Sequence, residues 1–199
     1  MTKQFLKTAQ VFVLLNLLIQ LVWIIRINFP QIIPFYLVPI ELELITVVIV
    51  NSASMIFIGI YLFKKGFKLA LYSSILEGVY YACLLAYWYS LILFKTNLDD
   101  YITAYYGLLC VSLFYGLILV FSHARTNVWL KWTGIILIAV SVVNLAFEFL
   151  AVSNDRSFLN IVKQISDFVG LFTFILMLLN FKKEIKLLPV ENDALVDSP

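Results

Sequence analysis

Ser141-VVNLAFEFLAVSNDRSFLNIVKQISDFV-Gly170 reads as the end of one membrane-spanning helix, a short polar turn, and the start of the next. Asn144 and Glu148 are four residues apart and share a helix face, and Ser141 extends that stripe. Across the turn, Lys163 and Asp167 repeat the spacing, with Asn160 and Gln164 beside them. Taking residues 160–181 as the last span, thirteen Leu, Ile, Val or Phe side chains supply roughly −4 to −8 kcal/mol of insertion free energy. A central Lys or Asp each removes about 2.5–3.5 kcal/mol, and less near an end. The span inserts with little margin, so its charges are expected to face the bundle interior and find partners. Three readings follow from these residues: a Lys163–Asp167 pair snorkelling to the interface, a polar pocket that includes Glu148, or a contact between subunits.

Composition extends this reading to the whole chain. Its 199 residues are 63% hydrophobic and 13% charged, with a mean hydropathy of +0.99. Soluble domains are about 45–50% apolar and about 25% charged. A polytopic, all-α membrane protein of six spans is expected, at residues 8–29, 39–63, 69–94, 101–122, 128–152 and 160–181, with 182–199 as a short tail. The start resembles a signal anchor without a small-residue cleavage site, and reads as a retained first span. Pro30, Pro34 and Pro39 make the first loop non-helical. Six spans place the amino terminus, the second and fourth loops and the tail on one side. That side holds ten Lys and Arg residues against four on the other, which puts both termini in the cytoplasm. The composition suits a bacterial cytoplasmic (inner) membrane.

This topology gathers the candidate site at the outer face. Arg26, Glu41, Glu43, Glu148, Lys163 and Asp167 belong to the outer half, with Gln20 and Asn144 about one turn deeper. A carboxylate surplus in a low-dielectric cavity attracts a cation, takes up protons, or is screened by water. Glu148 and Asp167 are therefore expected as the main cation or proton ligands, with Asn144 and Gln164 completing coordination. Glu43 and Glu41 attract charge at the mouth, and Lys163 and Arg26 tune the carboxylates. Glu77 stands apart in the inner half. It reads either as a structural glutamate satisfied by a neighbouring Tyr or Ser, or as a second relay point toward the cytoplasm. Tyr and Trp at the span ends read as an interfacial aromatic belt, with an aromatic pocket for an organic cation as the alternative.

The expected function is binding or moving a small cation, a proton-coupled solute or a polar solute. The competing reading is a non-transporting sensor or assembly subunit, in which the same residues form interhelical and intersubunit pairs with a membrane-protein partner or a second copy. Enzyme chemistry is disfavoured. His123 is the one histidine and lies at a boundary, and Cys83 and Cys110 form neither a CxxC nor a Cys/His cluster. Both cysteines read as buried free thiols. No metal, cofactor or nucleic acid is expected, and the lipid bilayer is the obvious partner. Ile75-Leu-Glu77-Gly-Val79 and Ile165-Ser-Asp167-Phe-Val169 match at an offset of 90 residues. That faint repeat would relate two inverted three-span halves.

Overall fold

The computed structural model describes residues 1–29, 31–32, 40–94, 98–121, 128–150 and 156–188. Six helices follow one another: α1 (Lys3–Asn28), α2 (Ile40–Lys64), α3 (Lys68–Phe94), α4 (Leu98–Phe121), α5 (Val128–Leu150) and α6 (Arg156–Leu187). All six are long and apolar enough to cross a membrane. Their outward face fits that setting. Asn16 is fully buried while Leu14, Leu15 and Leu18 around it are exposed, the reverse of a water-soluble helix.

Each helix packs against the next, and α1 packs against α6, so the bundle closes into a ring. Successive helices run antiparallel. Ser74 meets Tyr115 and Glu77 meets Ser112, so contacts climb α3 as they descend α4. α2 and α6 run parallel, as Tyr61 meets Asn180 and Lys65 meets Glu184 one turn on. One end of the ring therefore carries the start of α1 and the finish of α6, and is called the terminal end below. Exposed Lys7, Lys64, Lys68, Lys131, Lys182, Lys183 and Lys186 crowd it.

Local chemistry fixes several helix ends. Thr2 Oγ1 accepts the Phe5 N–H at 3.3 Å and caps α1. The α2–α3 connection is a Schellman turn: Phe67 N–H donates to Leu62 C=O and Gly66 N–H to Phe63 C=O, both at 3.0 Å. Gly66 takes φ +97° there, a left-handed conformation that other residues rarely adopt. Leu62 and Phe67 supply the accompanying apolar contact. Helix α6 runs six residues past the expected boundary at Phe181. Lys182, Lys183, Glu184 and Lys186 are good helix formers, and Glu184 is held by Lys65 at 2.6 Å. The proline-rich loop around Pro34, His123, Arg125 and the last residues of the tail lie outside the described residues.

The main core fills the terminal half. Leu6, Val13, Ile58, Tyr61, Leu62, Ala70, Leu119, Leu130, Met177 and Phe181 come from all six helices. Tyr61 and Phe181 stand edge to face with centroids 5.0 Å apart. Among the described residues of the opposite half, a second buried apolar cluster is formed by Val47 and Leu85 with Ile19, Val48 and Tyr81 around them. Cys83 and Cys110 are free, but both are exposed on the outer surface of the bundle. This corrects their expected burial: a small apolar side chain in a span suits the lipid side as well as the core.

At the offset of 90 residues, buried Asn51 and Ser54 on α2 correspond to buried Ser141 and Asn144 on α5, and Glu77 on α3 corresponds to Asp167 on α6.

Where α4 crosses α5, Gly116 and Gly134 face each other. A Cβ on Gly134 would lie 2.7 Å from the Gly116 carbonyl oxygen, closer than side chains pack. Gly134→Val should cost about 1–3 kcal/mol by overpacking, read as a lower unfolding midpoint in lipid nanodiscs. Gly78→Ala meets nothing nearer than 3.9 Å and should hold or raise the midpoint, since alanine is the better helix former.

Candidate functional site

The inner stripes of the six helices converge on one cavity of about 390 Å³, within the size range of small-molecule sites. Helix α6 lines it with Lys163, Ser166, Asp167, Gly170, Phe174 and Met177, a run at helical spacing. Helix α3 supplies Glu77, Tyr81, Leu84 and Leu85, and α4 supplies Tyr105, Leu108, Ser112 and Tyr115. Gln20, Trp23, Ile24 and Asn28 come from α1, Asn51, Met55 and Ile58 from α2, and Thr133, Leu137 and Val140 from α5. The lining starts in the upper layer of the terminal core, at Ile58 and Met177, and reaches Asn28, the last residue of α1.

Below the cavity the ring is shut. Asn180 Nδ2 donates to the Tyr61 hydroxyl at 2.8 Å, joining α6 to α2 across the end of α1. Lys65 and Glu184 repeat the link one turn further out. That ion pair is partly exposed and adds little by itself.

Polar pairs tie the wall together. Asn16 Nδ2 donates to Asn51 Oδ1 at 3.0 Å, and Gln20 Nε2 donates to the Tyr81 hydroxyl at 2.6 Å. The four-residue step on α1 thus serves α2 and α3 in turn. Ser74 Oγ donates to the Tyr115 hydroxyl at 3.2 Å, and one turn on, Ser112 Oγ donates to Glu77 Oε1 at 3.0 Å. Glu77 is 8% exposed, and its second oxygen has no partner among the described residues. Ser166 Oγ, also on the cavity wall, is likewise buried and unpartnered among them. Lys163 Nζ lies 5.5 Å from the Phe147 ring centre and 6.0 Å from that of Tyr105, held between aromatic faces of α5 and α4.

The structure therefore divides the expected site residues. Asp167 and Lys163 line the cavity, and Glu77 lines the same cavity rather than a separate one. Asn144 is buried but is not on the cavity wall, and half-buried Gln164 is not on it either. Arg26 is 2% exposed and also lies off the wall. The side chains of Glu41, Glu43 and Glu148 lie outside the described residues. Sequence reasoning missed Ser112, Ser166, Thr133 and Tyr115 as cavity groups. Their signal is faint, since a hydroxyl is common in apolar helices and Ser166 is overshadowed by Lys163, Gln164 and Asp167 beside it. Among the described residues, no group of three or more His, Cys, Asp and Glu side chains is placed to hold a metal ion.

A double-mutant cycle on Tyr61→Phe and Asn180→Leu measures the link beneath the cavity. The coupling should fall near the average for interhelical bonds in membranes, about 0.6 kcal/mol and at most about 1.7, read from unfolding in nanodiscs.

Compared with known proteins, the chain matches no family model, no curated protein and no solved structure.

Proposed function

We propose that the chain is a multi-pass protein of the bacterial cytoplasmic membrane that takes a small cationic or polar solute from the outer face into its central cavity. Both termini lie in the cytoplasm, and the basic rim at the terminal end supports that orientation by the positive-inside rule. The closed end of the ring then faces the cytoplasm and the cavity belongs to the outer side.

One observation carries the reading. All six helices line a single cavity, and a buried carboxylate oxygen of Glu77 on its wall is left without a partner among the described residues. An unmatched buried acceptor costs about 1–3 kcal/mol; the Asn16, Ser54 and Asn144 oxygens off the wall lack partners among the described residues too, so it is the position of the Glu77 carboxylate on the cavity that supports the reading. A bound solute removes the cost. Asp167 and Lys163 lie on the same wall toward the outer end and set the charge met on entry. Gln164, Asn144, Glu148, Glu41, Glu43 and Arg26 are assigned supporting roles around the mouth. Movement through the membrane follows if the Tyr61–Asn180 and Lys65–Glu184 links part on the cytoplasmic side.

The alternative, a sensor or assembly subunit, draws on the interhelical pairs Asn16–Asn51, Gln20–Tyr81 and Tyr61–Asn180, which a scaffold also needs. Water access separates the two. With Cys83 and Cys110 replaced by alanine, Leu137→Cys places a thiol on the cavity wall and Leu62→Cys places one in the closed core. A membrane-impermeant cationic methanethiosulfonate added outside intact cells should modify the first and spare the second. An unreactive Leu137→Cys rules out the outer solute path, and reaction only from the cytoplasmic side reverses the orientation.

A further inference from the structure

We infer that the cavity binds a lipophilic ammonium compound, an apolar body carrying one protonated amine, with the amine donating to the unpartnered oxygen of Glu77. This deepens the proposed solute-binding function and rests on it.

The chemistry of the wall selects this class. The deep part of the cavity is formed by Met55, Ile58, Leu137, Phe174 and Met177, surfaces that match a hydrocarbon body. A bare inorganic cation asks for six or more oxygen ligands, and among the described residues no group of three or more His, Cys, Asp and Glu side chains is placed to hold one. An ammonium head needs fewer acceptors because its charge is spread over N–H donors, and the remainder of the ligand satisfies the apolar wall. Ser112 already occupies Glu77 Oε1 at 3.0 Å. The carboxylate is thereby held in place, and the second oxygen is left to accept a charge-assisted hydrogen bond. Among the described residues of the wall, two acidic side chains against one basic, Glu77 and Asp167 against Lys163, disfavour an anion.

A second feature points the same way. A smaller groove of about 190 Å³ runs between α5 and α6, and its walls are apolar apart from Ser166. It shares Val140 and Ser166 with the cavity. A ligand that partitions into hydrocarbon finds apolar surface continuous with its site.

The test uses the full chain in lipid nanodiscs and three probes of one shape: 4-phenylbutylamine, 4-phenylbutan-1-ol and 4-phenylbutyrate. Binding is read as a saturable rise in the unfolding midpoint. The amine should bind, with the alcohol at least about tenfold weaker and the carboxylate weaker still. Glu77→Gln should lower amine affinity about tenfold and leave the alcohol unchanged, whereas Asp167→Asn should change amine affinity only a few-fold. If Glu77→Gln does not fold, Glu77→Asp serves instead. The carboxylate is then withdrawn by one methylene, and amine affinity should fall while alcohol affinity holds. Equal binding of amine and alcohol overturns the ammonium assignment but leaves a solute-binding cavity. Loss of amine binding in Asp167→Asn and not at Glu77 moves the anchor to the mouth and overturns the assignment to Glu77. Failure of all three probes overturns the class, while solute access itself is judged separately by the Leu137→Cys labelling.

Discussion

Hydrocarbon offers no hydrogen bonds, and that constraint shapes this molecule. Each polar side chain in an apolar helix must turn inward and meet another helix. Asn16 and Gln20 do so on α1, Asn51 and Tyr61 on α2, Glu77 on α3, Ser112 and Tyr115 on α4, and Asn180 on α6. A ring in which each helix has two neighbours gives all six an inward face. The individual bonds are weak by the standards of soluble cores, about 0.6 kcal/mol on average. Their effect is to choose the rotation of each helix about its axis, after which apolar packing follows.

Packing is uneven along the ring. In the terminal half, large side chains from all six helices meet, and Tyr61, Leu62 and Phe181 are fully or almost fully buried. On the opposite side, described residues of all six helices line the cavity. The close α4–α5 approach at Gly116 and Gly134 lets these two helices meet backbone to backbone, a route to association that needs no hydrophobic driving force.

The fold class was legible because it rests on composition and segment length, both of which survive without knowledge of contacts. Inward faces were partly legible. Asn16 with Gln20 and Lys163 with Asp167 announce themselves by four-residue spacing among apolar neighbours. The partition of the site was not. Glu77 looked isolated because depth along a span was the only coordinate available, and its partner Ser112 sits on another helix at a rotation that periodicity does not fix. Cys83 and Cys110 were misplaced for the same reason, since α3 and α4 are apolar around most of their circumference. The end of α6 was set too early because a hydropathy limit marks where the apolar run stops, whereas the helix itself continues through lysines and a glutamate that pair with the α2–α3 turn.

The distribution of polar pairs between the two halves of the chain bears on biogenesis. Asn16–Asn51 and Gln20–Tyr81 lie wholly within the first three helices. These helices can satisfy their most polar mid-span amides as soon as α3 leaves the ribosome. Glu77, Tyr61 and Lys65 draw their partners from α4 and α6 and must wait for them. The first three helices therefore hold two of their polar pairs among themselves, whereas α6 supplies the partners of Tyr61 and Lys65 on α2. A chain stalled before α6 would present Tyr61 and Lys65 unmatched, a surface that membrane quality control can read.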